Sequence, residues 1–134
     1  MGYVERCLWE YRANAGALKL MREELSGLMS VRGQNYEAHA VNGVSDPVNE
    51  VVQRVMKLER SISRIERYTR PVEALSEYLS GGEMHTYHMM EILRLNYIEH
   101  GDHEAVMREI GISPATYWRR RRELLRLARK YFGE

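Results

Sequence analysis

Apolar residues recur along this chain with the three-and-four spacing of helices, and no stretch alternates with period two for long enough to build a sheet. In the first segment Val4, Leu8, Tyr11, Ala15, Leu18, Leu25 and Met29 follow that rhythm, with Arg22 in the one slot of the series that is not apolar. The pattern predicts an amphipathic helix of roughly seven turns with a coiled-coil-like seam. Gly16 and Gly27 weaken it, Gly27 near its end. Residues 31–47 are rich in Gly and Asn, carry no clear period and read as a loop. Ser45-Asp46-Pro47 then reads as a helix start, because Ser45 or Asp46 can cap and the missing N–H of Pro47 costs nothing in a first turn.

A second long helix follows, with Val48, Val52, Val55, Leu58, Ile62 and Ile65 on one stripe. Pro71 removes a backbone hydrogen bond and crowds the preceding turn, which predicts a kink or break near Tyr68–Arg70. Val72, Leu75 and Leu79 extend the stripe to Ser80-Gly81-Gly82. Neither long helix can bury its stripe alone. They are expected to lie antiparallel against each other, or to zip against a second copy as a homodimer.

Three helices follow in quick succession. The first, about Met84 to His100, is expected to bury Tyr87, Met90, Ile92, Leu93, Leu95 and Tyr97. His100-Gly101 ends it, and Asp102 caps a helix running to about Ile110. Gly111 supplies a sharp turn, Ile112 fills the core, and Ser113-Pro114 opens the last helix with a cap and a first-turn proline. A short helix, a glycine turn and a longer helix that starts at a Ser cap is the helix-turn-helix layout. The expected fold is therefore all-α. A helical extension over 1–80, with a loop at about 31–47, serves as an oligomerisation region, and a helix-turn-helix domain occupies 83–134.

Spacing separates two faces of the last helix, 114–132. Tyr117, Leu124, Leu125, Ala128 and Phe132 lie on one side and are expected to pack inward. Ala115, Trp118, Arg119, Arg122 and Arg126 lie on the other. In this layout the start of the recognition helix reaches base edges and later cations meet the backbone. The expected DNA-binding residues are Ser113 at the cap, Thr116, Trp118, Arg119 and Arg122 in the groove, and Arg120, Arg126 and Lys130 on phosphates. Arg121 is expected to lean its stem on the core with its head turned outward.

Charge sharpens this reading. The chain's net charge is only +1, yet from Ala105 to Glu134 eight basic residues face three acidic ones. That end carries +5 and leaves −4 for residues 1–104, a polarity suited to steering one end toward phosphate. Arg119 and Arg122 repel one another on an isolated helix, a cost that a polyanionic partner offsets.

The remaining composition mainly excludes. No apolar run is long enough to span a bilayer, and Met1-Gly2-Tyr3-Val4-Glu5 lacks the basic start of a secretory signal, so the expected compartment is cytoplasmic. Cys7 is the only cysteine, which rules out an intrachain disulfide and a cysteine-based zinc site. His85, His88, Glu91, His100 and His103 read as ordinary surface residues rather than a metal set, and Met84, Met89, Met90 and Met107 as adaptable core filling. No phosphate-binding glycine loop, nucleophile elbow or paired carboxylates are present, so neither an enzyme nor a cofactor is expected.

Three stretches carry a family resemblance: Ser45-Asp46-Pro47-Val48 opening a long helix, Glu91-Ile92-Leu93-Arg94-Leu95-Asn96-Tyr97-Ile98, and Glu109-Ile110-Gly111-Ile112-Ser113 followed by Thr116-Tyr117. Over roughly residues 36–134 the chain resembles the phage-encoded ArpU/RinA-like late transcriptional regulators, whose C-terminal half is similar to region four of sigma factors. It departs from that pattern at Met107, where a small Ala is usual, and at Arg121, where an apolar residue is. The resemblance implies activation of a phage or prophage operon through contacts to promoter DNA and RNA polymerase. Two other readings share parts of the layout: a DNA-packaging protein like a small terminase subunit, and a protein-interaction module whose arginines bind an acidic partner. Small terminase subunits typically put the DNA-binding domain first, whereas the helical extension comes first here.

Overall fold

Every element in the computed structural model is helical, and no strand occurs among the described residues. The structure describes the backbone of residues 1–42 and 46–134 and the side chains of 1–30 and 49–134. Helix α1 spans Tyr3–Trp9, α2 Tyr11–Asn42 and α3 Asp46–Ser80. Helix α4 spans Met84–Ile92 and runs on as a π-helical turn over Leu93–Ile98, before α5 at His103–Ile110 and α6 at Pro114–Tyr131.

Four details differ from the sequence expectations. The single N-terminal helix is interrupted at Glu10, whose backbone has φ −91° and ψ 1° and whose N–H donates to the Arg6 carbonyl at 2.8 Å. The loop expected over 31–47 is helical through Asn42. Gly33 costs about 1 kcal/mol against Ala in a helix, but Arg32, Gln34, Glu37, Ala38 and Ala40 around it are strong helix formers. Ser45, one of the two expected caps, lies outside the described residues, and Asp46 is already the first residue of α3. Finally, α3 does not break at Pro71. Val72, Leu75 and Leu79 on its far side are at most 1% exposed, and that burial carries the helix past one missing hydrogen bond.

The chain divides into two compact units, Met1–Asn14 with Tyr68–Glu134, and Ala15–Arg67. The expected boundary at 80–83 thus falls inside the first unit. The observed one falls between Arg67 and Tyr68, in the turn that Pro71 deprives of a hydrogen bond.

In the first unit one core draws on every helical segment. Val4 and Leu8 from α1, Val72, Leu75 and Leu79 from α3, and Met89 and Ile92 from α4 meet Leu93 and Tyr97 of the π turn. Val106 of α5 and Tyr117, Leu124 and Ala128 of α6 complete it. Tyr87, expected inside, is 52% exposed, and Met89 takes the buried position instead. Thr86, Met89, Leu93 and Tyr97 follow each other at three-and-four steps, so the buried stripe of α4 is simply rotated from the expected one. Gly82, just before this element, lies under Thr86, whose side chain occupies the place of any Cβ there.

The second unit pairs the later part of α2 with the earlier part of α3. Leu18, Val55, Leu58 and Ile62 are buried within it. Arg22 pairs with Glu66 at 3.0 Å, and Arg54 forks onto both oxygens of Glu24 at 2.9 and 3.0 Å. Partners that descend along α3 as they rise along α2 mark an antiparallel pair, the first of the two expected arrangements.

Candidate nucleic-acid interface

The turn between α5 and α6 sets the aim of the last helix. Asp102 caps α5, its Oδ1 accepting from the Ala105 N–H at 2.9 Å. Gly111 ends it in the left-handed region at φ 77°, and the N–H groups of Gly111 and Ile112 both donate to the Met107 carbonyl. This is an αL cap of the kind that favours glycine. Ser113 then caps α6: its Oγ accepts from the Thr116 N–H at 3.2 Å and donates to Thr116 Oγ1 at 3.0 Å. Two of the expected DNA-binding residues, Ser113 and Thr116, therefore have their polar atoms engaged in the cap.

The inner face of α6 is as spacing predicts, with Tyr117, Leu124 and Ala128 fully buried and Leu125 and Phe132 packed at the edge of the core. The outer face carries Trp118, Arg119, Arg122, Arg126 and Lys130, all exposed. Arg129 joins them, and Arg108 on α5 is exposed as well. Sequence spacing had not singled out these last two as binding candidates, although both belong to the basic C-terminal set. None of these six cations makes an ion pair with a described residue, so their charge is open to solvent.

Two arginines of the run turn elsewhere. Arg120, an expected phosphate contact, is only partly exposed and pairs with Glu123 at 3.0 Å. Arg121 turns inward: its NH2 meets Glu5 Oε1 at 2.7 Å, with both side chains about four-fifths covered. Its guanidinium also lies 5.1 Å from the Tyr97 ring centre and 5.5 Å from that of Trp118. The head expected to reach outward is thus held by a carboxylate 116 residues away in sequence, which no local spacing could reveal. Glu5 neutralises the Arg121 cation where it is mostly covered.

Glu5 also accepts from the Tyr97 hydroxyl at 3.0 Å, so one carboxylate ties α1, the π turn and α6 together. Burial pushes the Tyr97 hydroxyl far above its ordinary pKa, an effect that Glu5 reinforces and Arg121 opposes. Next to this network His103 Nδ1 lies 2.7 Å from the Tyr117 hydroxyl, and its ring packs 4.6 Å from that of Trp118. Burial lowers the His103 pKa, and the Arg121 cation pushes the same way against Asp102 and Glu5. Trp118, 36% exposed, therefore has one side committed to His103 and Arg121 and one side free.

His100, at φ 59°, stacks on Trp9 with ring centres 3.7 Å apart, and its Nε2 lies 2.7 Å from the Trp9 carbonyl. His85 sits 3.8 Å from Glu83. Among the described residues no three potential metal ligands converge, and no helix is long and apolar enough to cross a membrane. No family model, no curated protein and no solved structure matches the chain.

Proposed function

We propose that the protein is a DNA-binding transcriptional regulator of phage type, with α6 as its recognition helix in the major groove. One observation carries this reading above the others: the outer face of α6 presents Arg119, Arg122, Arg126, Arg129 and Lys130, exposed and without internal partners. A charged face that merely solvates a helix is usually laced with opposite charges. Here the pairing is confined to Arg120 and Arg121, and the outer cations are left for an anion. The glycine turn at Gly111 between two helices capped by Asp102 and Ser113 supports this reading, since a groove-reading helix-turn-helix uses a short helix, a turn and a longer helix. The regulator class rests on the resemblance to the ArpU/RinA-like family.

Arg119 and Arg122, nearest the start of α6 on that face, are the proposed base readers, and Trp118 offers its free side beside them. Arg126, Arg129 and Lys130 extend along the helix as phosphate contacts. Selection of bound sequences from random duplex DNA, followed by binding titrations, tests this. Arg119→Ala is expected to cost about 1–3 kcal/mol and to relax preference at one position of the selected site. The Arg119→Ala/Arg122→Ala pair is expected to abolish sequence preference while weak, salt-sensitive binding persists. Unchanged affinity in that pair would remove α6 as the recognition helix.

A further inference from the structure

The second compact unit carries a basic face of its own. Lys57, Arg60, Arg64 and Arg67 recur on α3 at steps of three and four, opposite the buried residues Val55, Leu58 and Ile62, and all four are exposed. They span eleven residues, or about 15 Å along the helix axis. On this surface Arg60, Arg64 and Arg67 rim a shallow depression with Met56, Ser63 and one carboxylate, Glu59, which leaves the rim net positive.

Its pairing sets this stripe apart from a solvated helix face. On a helix a charge is balanced by neighbours three or four residues away. None of these four has an acidic residue at those positions; the neighbours are Gln53, Arg54, Met56, Ser61, Ser63, Tyr68, Arg70, Pro71 and the four cations themselves. Lys57–Arg60, Arg60–Arg64 and Arg64–Arg67 are therefore like-charge neighbours, each costing a few tenths of a kcal/mol. The unit does use ion pairs elsewhere, since Arg22 and Arg54 both find carboxylates across the hairpin. The four stripe cations make none with a described residue.

We propose that this stripe is a second, sequence-independent surface for the phosphate backbone of duplex DNA, an inference that rests on the DNA-binding reading of α6. A row of unpaired cations suits a regular line of phosphates, which in a duplex present about one charge per 1.7 Å of axis. Such a contact adds affinity and counterion release without adding specificity.

The test measures the salt dependence of binding to duplex DNA by fluorescence anisotropy for the full chain, for Lys57→Gln/Arg60→Gln/Arg64→Gln/Arg67→Gln, and for Arg60→Lys/Arg64→Lys/Arg67→Lys. Each lost phosphate contact removes about 0.9 from the slope of log K against log salt. The neutralised variant is expected to lose roughly 2–4 from that slope and to keep its preference for the selected site over random duplex. The lysine variant is expected to keep the wild-type slope, because it keeps the charge. Circular dichroism checks that both variants stay helical. If wild-type protein binds duplex DNA and the neutralised variant keeps its slope, the stripe proposal falls and the α6 reading stands. If the neutralised variant instead loses binding to anionic vesicles at unchanged DNA slope, the stripe is a membrane-facing surface and the proposal is overturned. Absence of any duplex binding by the wild type overturns both.

Discussion

Four consecutive arginines reach three environments because each residue of a helix turns about 100° from the last. Arg119 and Arg122 point to solvent, Arg120 bends to Glu123, and Arg121 meets Glu5. The outward pair was readable from spacing alone, since the inner face declares itself through Tyr117, Leu124 and Ala128. Glu5 was not readable, because an ion pair between chain ends leaves no local pattern. The same network gives His103 a measurable role. In the folded state burial and the Arg121 cation hold its pKa below the ordinary 6.5, so the neutral ring is favoured. Above 6.5 the ring is neutral in both states and contributes no pH dependence. As pH falls below that value the unfolded chain takes up the proton first, and stability drops until the folded ring also titrates. Denaturant unfolding at about pH 7.5 and about pH 5 should show a larger acid loss for wild type than for His103→Gln. Equal losses would place the acid sensitivity elsewhere.

At the scale of elements, caps and turns were the most legible features. Asp102, Gly111 and Ser113 act at the positions their residue types favour, because a cap is a local interaction complete within four residues. The 31–42 segment, and the break allowed at Pro71, were misleading for the opposite reason: propensity is a weak prior where packing or neighbouring helix formers decide. The π turn at Leu93–Ile98 had no evident signal, and it makes Gly101 a more demanding position than Gly111. The Gly101 N–H donates to the Leu95 carbonyl at 2.8 Å, and a Cβ on Gly101 would stand 2.9 Å from that same oxygen. Gly111 has a positive φ but open space around it. Gly111→Ala should therefore cost about 1 kcal/mol, the strain of a left-handed alanine less the entropy it removes from the unfolded chain. Gly101→Ala should cost about 2–3 kcal/mol, since backbone must move. Thermal melts of both variants check the order, and a milder effect at Gly101 would mean that the π turn yields easily.

For the whole molecule, the decisive fact is that the helices bearing α6 do not close a core by themselves. Val4, Leu8, Val72, Leu75 and Leu79, from α1 and the end of α3, are all buried with Tyr97, Tyr117 and Leu124. The sequence shows each of those apolar stripes plainly. It does not show which stripe covers which, because that depends on contacts about a hundred residues apart. Each large side chain in such a core is worth about 1.5–3 kcal/mol of burial, against a net stability of only about 5–15 kcal/mol for a whole domain. Removing five should leave nothing stable. A fragment of residues 83–134 is therefore expected to melt without a cooperative transition, although its two capped helices would keep some helical signal. Within the full chain, Leu8→Ala should lower stability by about 2–5 kcal/mol, because Leu8 is fully buried. At temperatures where this variant stays folded, its DNA affinity and salt slope should match wild type. A fragment that melted as sharply as the full chain would show that the N-terminal helix merely leans on a self-sufficient domain. A Leu8→Ala variant that lost DNA affinity while still folded would show instead that α1 helps to aim α6, through Glu5 and Arg121.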